Sequence, residues 1–245
     1  MSDATQRPHS IQATDGVMAV RRSSALLLEI ATSLEDATAA QRSLLPGWSR
    51  KHVISHLARG ADGMVNLLTW ARTGEAQALY VSREARDADI EAGTGRQLSD
   101  LLVDLREAEQ RFLDAADALT AASWATTLST GLGTVEAAVL PWGRLTELLV
   151  HLVDLDVGHT FDDAVLIADE QLVPLLDYVV WRAGATGAPP MELEVDLPTG
   201  ETRVWSIGEG GTAIKGMAAD IIGWLTARTS GARLAGHIPE VPTWP

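Results

Sequence analysis

The stretch Pro141-Trp142-Gly143-Arg144-Leu145-Thr146-Glu147-Leu148-Leu149-Val150-His151-Leu152-Val153-Asp154-Leu155 carries two stripes at once. Leu145, Leu148, Leu149, Leu152 and Leu155 recur at helical spacing along one side, and Arg144, Glu147, His151 and Asp154 along another. Side chains three and four apart meet on a helix face, so the pattern predicts a bundle helix with one buried side and one aligned polar row. Pro141 suits its first turn, where a fixed φ and a missing N–H cost nothing, and the helix is expected to continue to about Gly158. Glu147 and His151 project together and are able to grip one ion. Imidazole nitrogen and carboxylate oxygen are ordinary ligands of zinc where thiolate is absent, and three protein ligands leave one position open. Asp154, one turn beyond His151, is placed to orient the imidazole. The same spacing also fits a solvated helix face carrying a Glu–His pair of little energetic weight, and spacing alone does not separate the two.

Outward from this helix, three more segments repeat with the helical period. The first spans Gly16 to Gln41 with Val17, Val20, Leu26, Leu27, Ile30 and Leu34 apolar, and stops before Leu44-Leu45-Pro46-Gly47-Trp48. The second follows Ser49, whose hydroxyl suits an N-cap, and carries Val53, Ile54, Leu57, Met64, Leu67 and Leu68 to a closing Gly74. The third opens near Ser99 with Leu101, Leu102, Leu105, Phe112, Leu113, Ala116 and Leu119. Four helices of this size make one bundle. Beyond Phe161 the texture changes. A helix-like segment over 168–185 leads to Met191–Leu197, where apolar and acidic residues alternate as in a half-buried strand. Pro198-Thr199-Gly200 turns the chain and Arg203–Ile207 alternates again. Gly208-Glu209-Gly210-Gly211, Thr212–Lys215 and the amphipathic Met217–Arg228 follow. The reading is α+β: a helical bundle over residues 1–161 and a smaller α/β domain over 162–245 that completes a cleft.

Composition narrows the function. A chain of 245 residues that is 46% hydrophobic buries a substantial core. Its net charge of −14, with no Lys/Arg-rich stretch, opposes binding to nucleic acid or to an anionic membrane. No apolar run approaches the roughly 20 residues of a membrane span, and MSDATQRPHSIQATDG lacks the order of a signal peptide, so a cytoplasmic monomer or small homo-oligomer is expected. The chain contains no cysteine, which excludes disulfides, thiolate metal sites and a cysteine nucleophile. Any thiol chemistry must use a sulfur brought from outside.

Helix two offers His52 and His56, four apart, as further ligands, and periodicity does not choose between them. At Gly47-Trp48-Ser49-Arg50-Lys51-His52-Val53-Ile54-Ser55-His56-Leu57-Ala58, together with Arg144–Leu155, the chain resembles the mycothiol-dependent maleylpyruvate isomerases of the DinB-like metalloenzyme superfamily. Leu79–Asp87 is similar to that family's loop after the second helix, and Leu225–Gly231 and Val241–Pro245 to its C-terminal end. The resemblance implies a DinB-like four-helix bundle in which His56, Glu147 and His151 hold zinc or another divalent metal, with His52 outside. It also implies functional arginines at Arg86 and Arg228, one from each domain, that hold the carboxylates of a small dicarboxylate and the enolate developing beside them. Arg83 is the rival of Arg86, and Tyr80 takes a steric role.

The implied reaction turns maleylpyruvate into fumarylpyruvate in the degradation of gentisate and related aromatic acids. A thiolate of mycothiol adds to the double bond, the single bond so formed rotates, and the thiolate leaves. A metal makes that thiol acidic enough, which agrees with a chain that has no cysteine of its own. Two other readings compete. A DinB-like mycothiol S-transferase would share the metal and the thiol but leave a stable thioether. A non-catalytic metal-binding bundle would keep Arg86 and Arg228 apart, with no open coordination position facing a cleft.

Overall fold

The computed structural model describes residues 11–243, so Met1–Ser10 and the final Trp244-Pro245 of the C-terminal motif lie outside the described residues. The chain runs α1 (Ala13–Thr32), α2 (Asp36–Ala39), α3 (Arg50–Thr73), α4 (Arg83–Thr94), α5 (Leu98–Asp117), α6 (Ala121–Trp124), β1 (Thr127–Thr130), β2 (Gly133–Glu136) and α7 (Leu140–Asp154). It continues with α8 (Phe161–Ala168), α9 (Leu172–Ala185), β3 (Met191–Asp196), β4 (Thr202–Ile207), β5 (Thr212–Met217), α10 (Ala218–Leu225) and β6 (Ala235–Gly236). Helices α1, α3, α5 and α7 form the bundle, α3 packing on α5 and α7, and α1 on α5 and α7. The C-terminal strands form a sheet of order β4-β3-β5-β6, with β3 antiparallel to β4 and parallel to β5. The apolar core runs without a break from Leu57 and Leu145 in the bundle to Leu193 and Ile214 in the sheet.

Local chemistry explains the helices that place the site. Ser49 caps α3 through a reciprocal box with His52, whose Nδ1 accepts from the Ser49 N–H at 3.0 Å. Gly74 ends α3 in the left-handed region at φ +79. Arg50, buried in the first turn of α3, donates from Nε to Leu155 O at 2.6 Å and from Nη2 to Asp156 O at 2.8 Å. These carbonyls end α7 and have no partner within the helix, so Arg50 both caps α7 and pins the two helices together. They run antiparallel, which brings His56 opposite Glu147.

Several expectations change. The first helix stops at Thr32 instead of continuing to Gln41, because Ser33 folds its hydroxyl back onto Ile30 O. That break frees Asp36 to accept from Leu98 N at 2.7 Å and to pair with Lys51 at 2.8 Å. The loop after helix two contains a further helix, α4, whose apolar signal is faint because only Ile90 and Gly93 are buried. The β1–β2 hairpin and α8 likewise stand where no separate element was expected, and α7 ends at Asp154, before Gly158.

Candidate metal centre

The polar row of α7 is not solvated: Arg144, His151 and Asp154 are 1%, 2% and 1% exposed. His56 and His151 meet edge to face with ring centroids 4.6 Å apart, and both aim Nε2 at one oxygen, Glu147 Oε2, at 3.1 and 3.2 Å. One donor atom from each of His56, Glu147 and His151 lies within 4.8 Å of the others, the only group so placed among the described residues. His52 points away. Its Nδ1 belongs to the Ser49 cap and its Nε2 lies 3.1 Å from Glu91.

The surroundings set the proton positions. Asp154 Oδ2 lies 2.9 Å from His151 Nδ1, so the carboxylate holds the proton there and turns the Nε2 lone pair toward Glu147. A lone pair facing a carboxylate oxygen needs a cation between them. In the metal-free protein a second proton on His151 can supply it. Burial opposes that charge, but the hydrogen bonds His151 donates to Asp154 and Glu147 outweigh it and raise the His151 pKa above the usual histidine value. Burial likewise opposes charge on Glu147, yet hydrogen bonds from His151 and His56 hold its carboxyl well below the ordinary range. On His56 burial, helped by the positive charge of His151 and Arg86, outweighs the hydrogen bond and charge of Glu147, and the pKa falls to about 4. Two imidazoles and an ionised carboxylate, converging and already desolvated, fit a borderline divalent ion such as zinc.

A hydrogen-bonded chain passes through the triad from end to end. Arg86 Nη2 lies 3.0 Å from His56 Nδ1, and at the other end Arg228 Nε donates to both oxygens of Asp154 at 3.1 Å. The two predicted arginines therefore flank the triad from opposite sides. Ala227, at φ +57, turns the chain so that Arg228 leaves the end of α10 toward Asp154. They do not share a cavity. Arg86 lines a cavity of about 870 Å³ with His56 and Glu147, whereas Arg228 lines one of about 900 Å³ on the other side, with Asp154, Asp156, Asp162 and Asp220. Arg83 and Tyr80 line the first cavity too, Arg86 lying over the Tyr80 ring at 5.7 Å.

Sequence reasoning missed three residues here. Arg182 and Tyr178 of α9 face the Glu147 cavity, and their spacing of four within a largely apolar helix was the available signal. Glu109 of α5 pairs with Arg144 below the cavity, and Arg144 also donates to Leu57 O at 2.8 Å. Nothing in the α5 periodicity distinguishes Glu109 from its solvated neighbours.

Comparison with known proteins agrees with this architecture. Curated proteins give no match. Among solved structures, a mycothiol-dependent maleylpyruvate isomerase superposes with a TM-score of 0.78 at 26% identity, over 98% of this chain and 100% of the other. A histidine-to-alanine mutant of such an isomerase gives 0.77 at 25% identity over the same shares. Residues 20–156, which carry all three converging ligands, match the mycothiol maleylpyruvate isomerase N-terminal domain, and the chain belongs to that family.

Proposed function

We propose that the protein is a mycothiol-dependent cis–trans isomerase that converts maleylpyruvate to fumarylpyruvate, acting in the cytoplasm in the degradation of gentisate and related aromatic acids. The observation that carries this reading is a buried His56–Glu147–His151 group opening on a cavity that is cationic in a strongly acidic chain. That cavity is lined by Arg83, Arg86, Arg144 and Arg182 and by a single carboxylate, Glu147. The cavity on the Arg228 side is lined by four aspartates against two arginines, Arg228 and Arg233. A dianionic substrate is drawn to the first and repelled from the second.

A divalent cation held by His56, Glu147 and His151 would supply the Lewis acidity that makes a thiol such as that of mycothiol ionise near neutral pH. The chain's own residues do the rest. His56, Glu147 and His151 would each turn one lone pair to one point; on His56 this requires the ring proton on Nδ1, which releases Arg86 from the hydrogen bond it makes there in the metal-free fold. Asp154 fixes the proton of His151 on Nδ1, so that Nε2 remains a ligand. Arg86, within hydrogen-bonding distance of a ligand ring, is in position to hold the carboxylate nearest the reacting carbons and to stabilise enolate charge as it develops. Arg228 acts as a positioning residue, through Asp154. In this reading residues 1–161 hold the metal, and residues 162–245 close the cleft with α9 and support it with Arg228.

The test is an assay of zinc-loaded protein with maleylpyruvate, with and without mycothiol. Fumarylpyruvate should appear only with the thiol, and the thiol should be recovered unchanged. Turnover without thiol would overturn the reading, and a stable thioether product would make the protein a transferase. Glu147→Ala should lose both metal and turnover.

A further inference from the structure

The family match ends at residue 156, and α9 lies beyond it. Yet α9 sends two polar side chains into the Glu147 cavity, Tyr178 and Arg182, one turn apart and 4% and 8% exposed. They are hydrogen-bonded to each other, the guanidinium donating to the phenol oxygen. Burial pushes the Tyr178 hydroxyl up to about 12, so it stays a phenol and orients Arg182 without cancelling its charge. Helix α7 is cut away to admit this pair. A Cβ added at Gly143 would sit 2.9 Å from the Tyr178 hydroxyl, and Gly143 lies one turn before Glu147 on the same face. A glycine inside a helix costs up to about 1 kcal/mol relative to alanine, so the space for Tyr178 is kept at some expense to α7.

We propose that Arg182, oriented by Tyr178, is a specificity-determining residue that binds the second carboxylate of the substrate, the one on the far side from the reacting double bond. The assignment rests on the isomerase reading above. Maleylpyruvate carries carboxylates at both ends of a seven-carbon chain, and Arg86, at a metal-ligand ring, takes the near one. Of the other guanidiniums lining the cavity, Arg83 shares α4 with Arg86 and Arg144 is paired with Glu109; Arg182, from α9, matches the far one. An arginine fork binds a carboxylate through two charge-assisted hydrogen bonds, and a buried one discriminates strongly against an analogue that lacks the carboxylate.

The experiment compares maleylpyruvate with the analogue in which a methyl group replaces the far carboxyl, so that a methyl ketone stands where the α-keto acid was. Arg182→Met should lower kcat/KM for the dicarboxylate on the order of 30-fold while changing the analogue by less than about threefold, with zinc content unchanged. Tyr178→Phe should raise KM for the dicarboxylate and leave kcat near wild type. Should Arg182→Met fail to fold, Arg182→Lys, which keeps the charge and loses the fork, should show the same selective loss at smaller size. Equal losses on both substrates, or an unaltered preference, would overturn the assignment. Binding of pimelate against heptanoate, followed by calorimetry, separates this proposal from the isomerase reading. If the wild type turns over neither compound but prefers pimelate, and Arg182→Met abolishes the preference, the isomerase reading fails and the carboxylate site stands. No preference in the wild type would sink the site itself.

Discussion

Asp154→Asn replaces one oxygen by an amide nitrogen at a residue that is 1% exposed, and it tests the chain linking Arg228 to the triad. In the wild type the carboxylate accepts from His151 Nδ1 at 2.9 Å and from Arg228 Nε on both oxygens at 3.1 Å. Asparagine can still accept from His151 through its oxygen. It cannot neutralise Arg228, and its amide directs two N–H donors toward a cation. Removing one partner of a buried ion pair costs about 3–5 kcal/mol. The Arg228 side chain retains 13% exposure, so water recovers part of its solvation and the lower end, about 3 kcal/mol, is expected. With a urea dependence of roughly 2–3 kcal/mol/M, the unfolding midpoint of metal-free protein should fall by about 1 M. Metal affinity should fall about 10- to 100-fold, the usual consequence of disturbing the partner that orients a ligating histidine. Arg228→Met should be milder on metal, since His151 keeps its acceptor, and the double variant should recover part of the stability lost by Asp154→Asn alone. Equal midpoints and equal zinc affinities for wild type and Asp154→Asn would refute the argument that Arg228 acts on the triad through this carboxylate.

Glu109 and Arg144 are 3% and 1% exposed, and Glu109 Oε2 and Arg144 Nε have no hydrogen-bond partner among the described residues, so the pair is charged but incompletely satisfied. Glu109→Gln should destabilise by about 3 kcal/mol in urea unfolding, whereas Glu109→Leu with Arg144→Met should return to within about 1 kcal/mol of wild type. Below the raised His151 pKa, metal loading should release one proton, because His151 is then protonated in the metal-free fold while Glu147 is already ionised and His56, at about 4, already neutral. Apparent zinc affinity should therefore climb about tenfold per pH unit up to the His151 pKa and level off above it, read by calorimetry in buffers of different ionisation enthalpy. In the metal-free fold the same proton stabilises, a contribution complete below the unfolded pKa of 6.5 and lost as pH rises through the elevated folded value.

What could be read from the chain follows from which physical signals are local. Ser49, Gly74 and Pro141 act on the turn they occupy, so the limits of α3 and the start of α7 were legible. The pairing of Glu147 with His151 was legible too, since a single helix dictates it. Whether that row faced water was not, because burial of Arg144 depends on Glu109, thirty-five residues away on another helix. His56 stood apart from His52 only by resemblance, although a local cause exists: His52 is three residues into α3, where its ring is drawn back to the Ser49 N–H. A histidine consumed by a cap cannot turn inward, which leaves the next one along, a turn further on, to face α7.

Arg228 and Arg182 mark the limit of such reasoning. The first was expected among substrate contacts because a dianion calls for two cations, but chemistry of type says nothing about side, and the fold sets Arg228 behind His151 against Asp154. The second sat in a helix that reads as core, and its charge acquires meaning only because Gly143 on a different helix leaves room for Tyr178. The cavity thus gains a guanidinium from an element whose sequence advertises only burial. A long-range steric allowance of this kind leaves one mark on the chain, a glycine where helix propensity argues against it. Helix-interior glycines one turn from the candidate metal ligands, Gly60 after His56 and Gly143 before Glu147, are therefore where such sites become visible: an added Cβ would crowd Arg144 at the first and Tyr178 at the second.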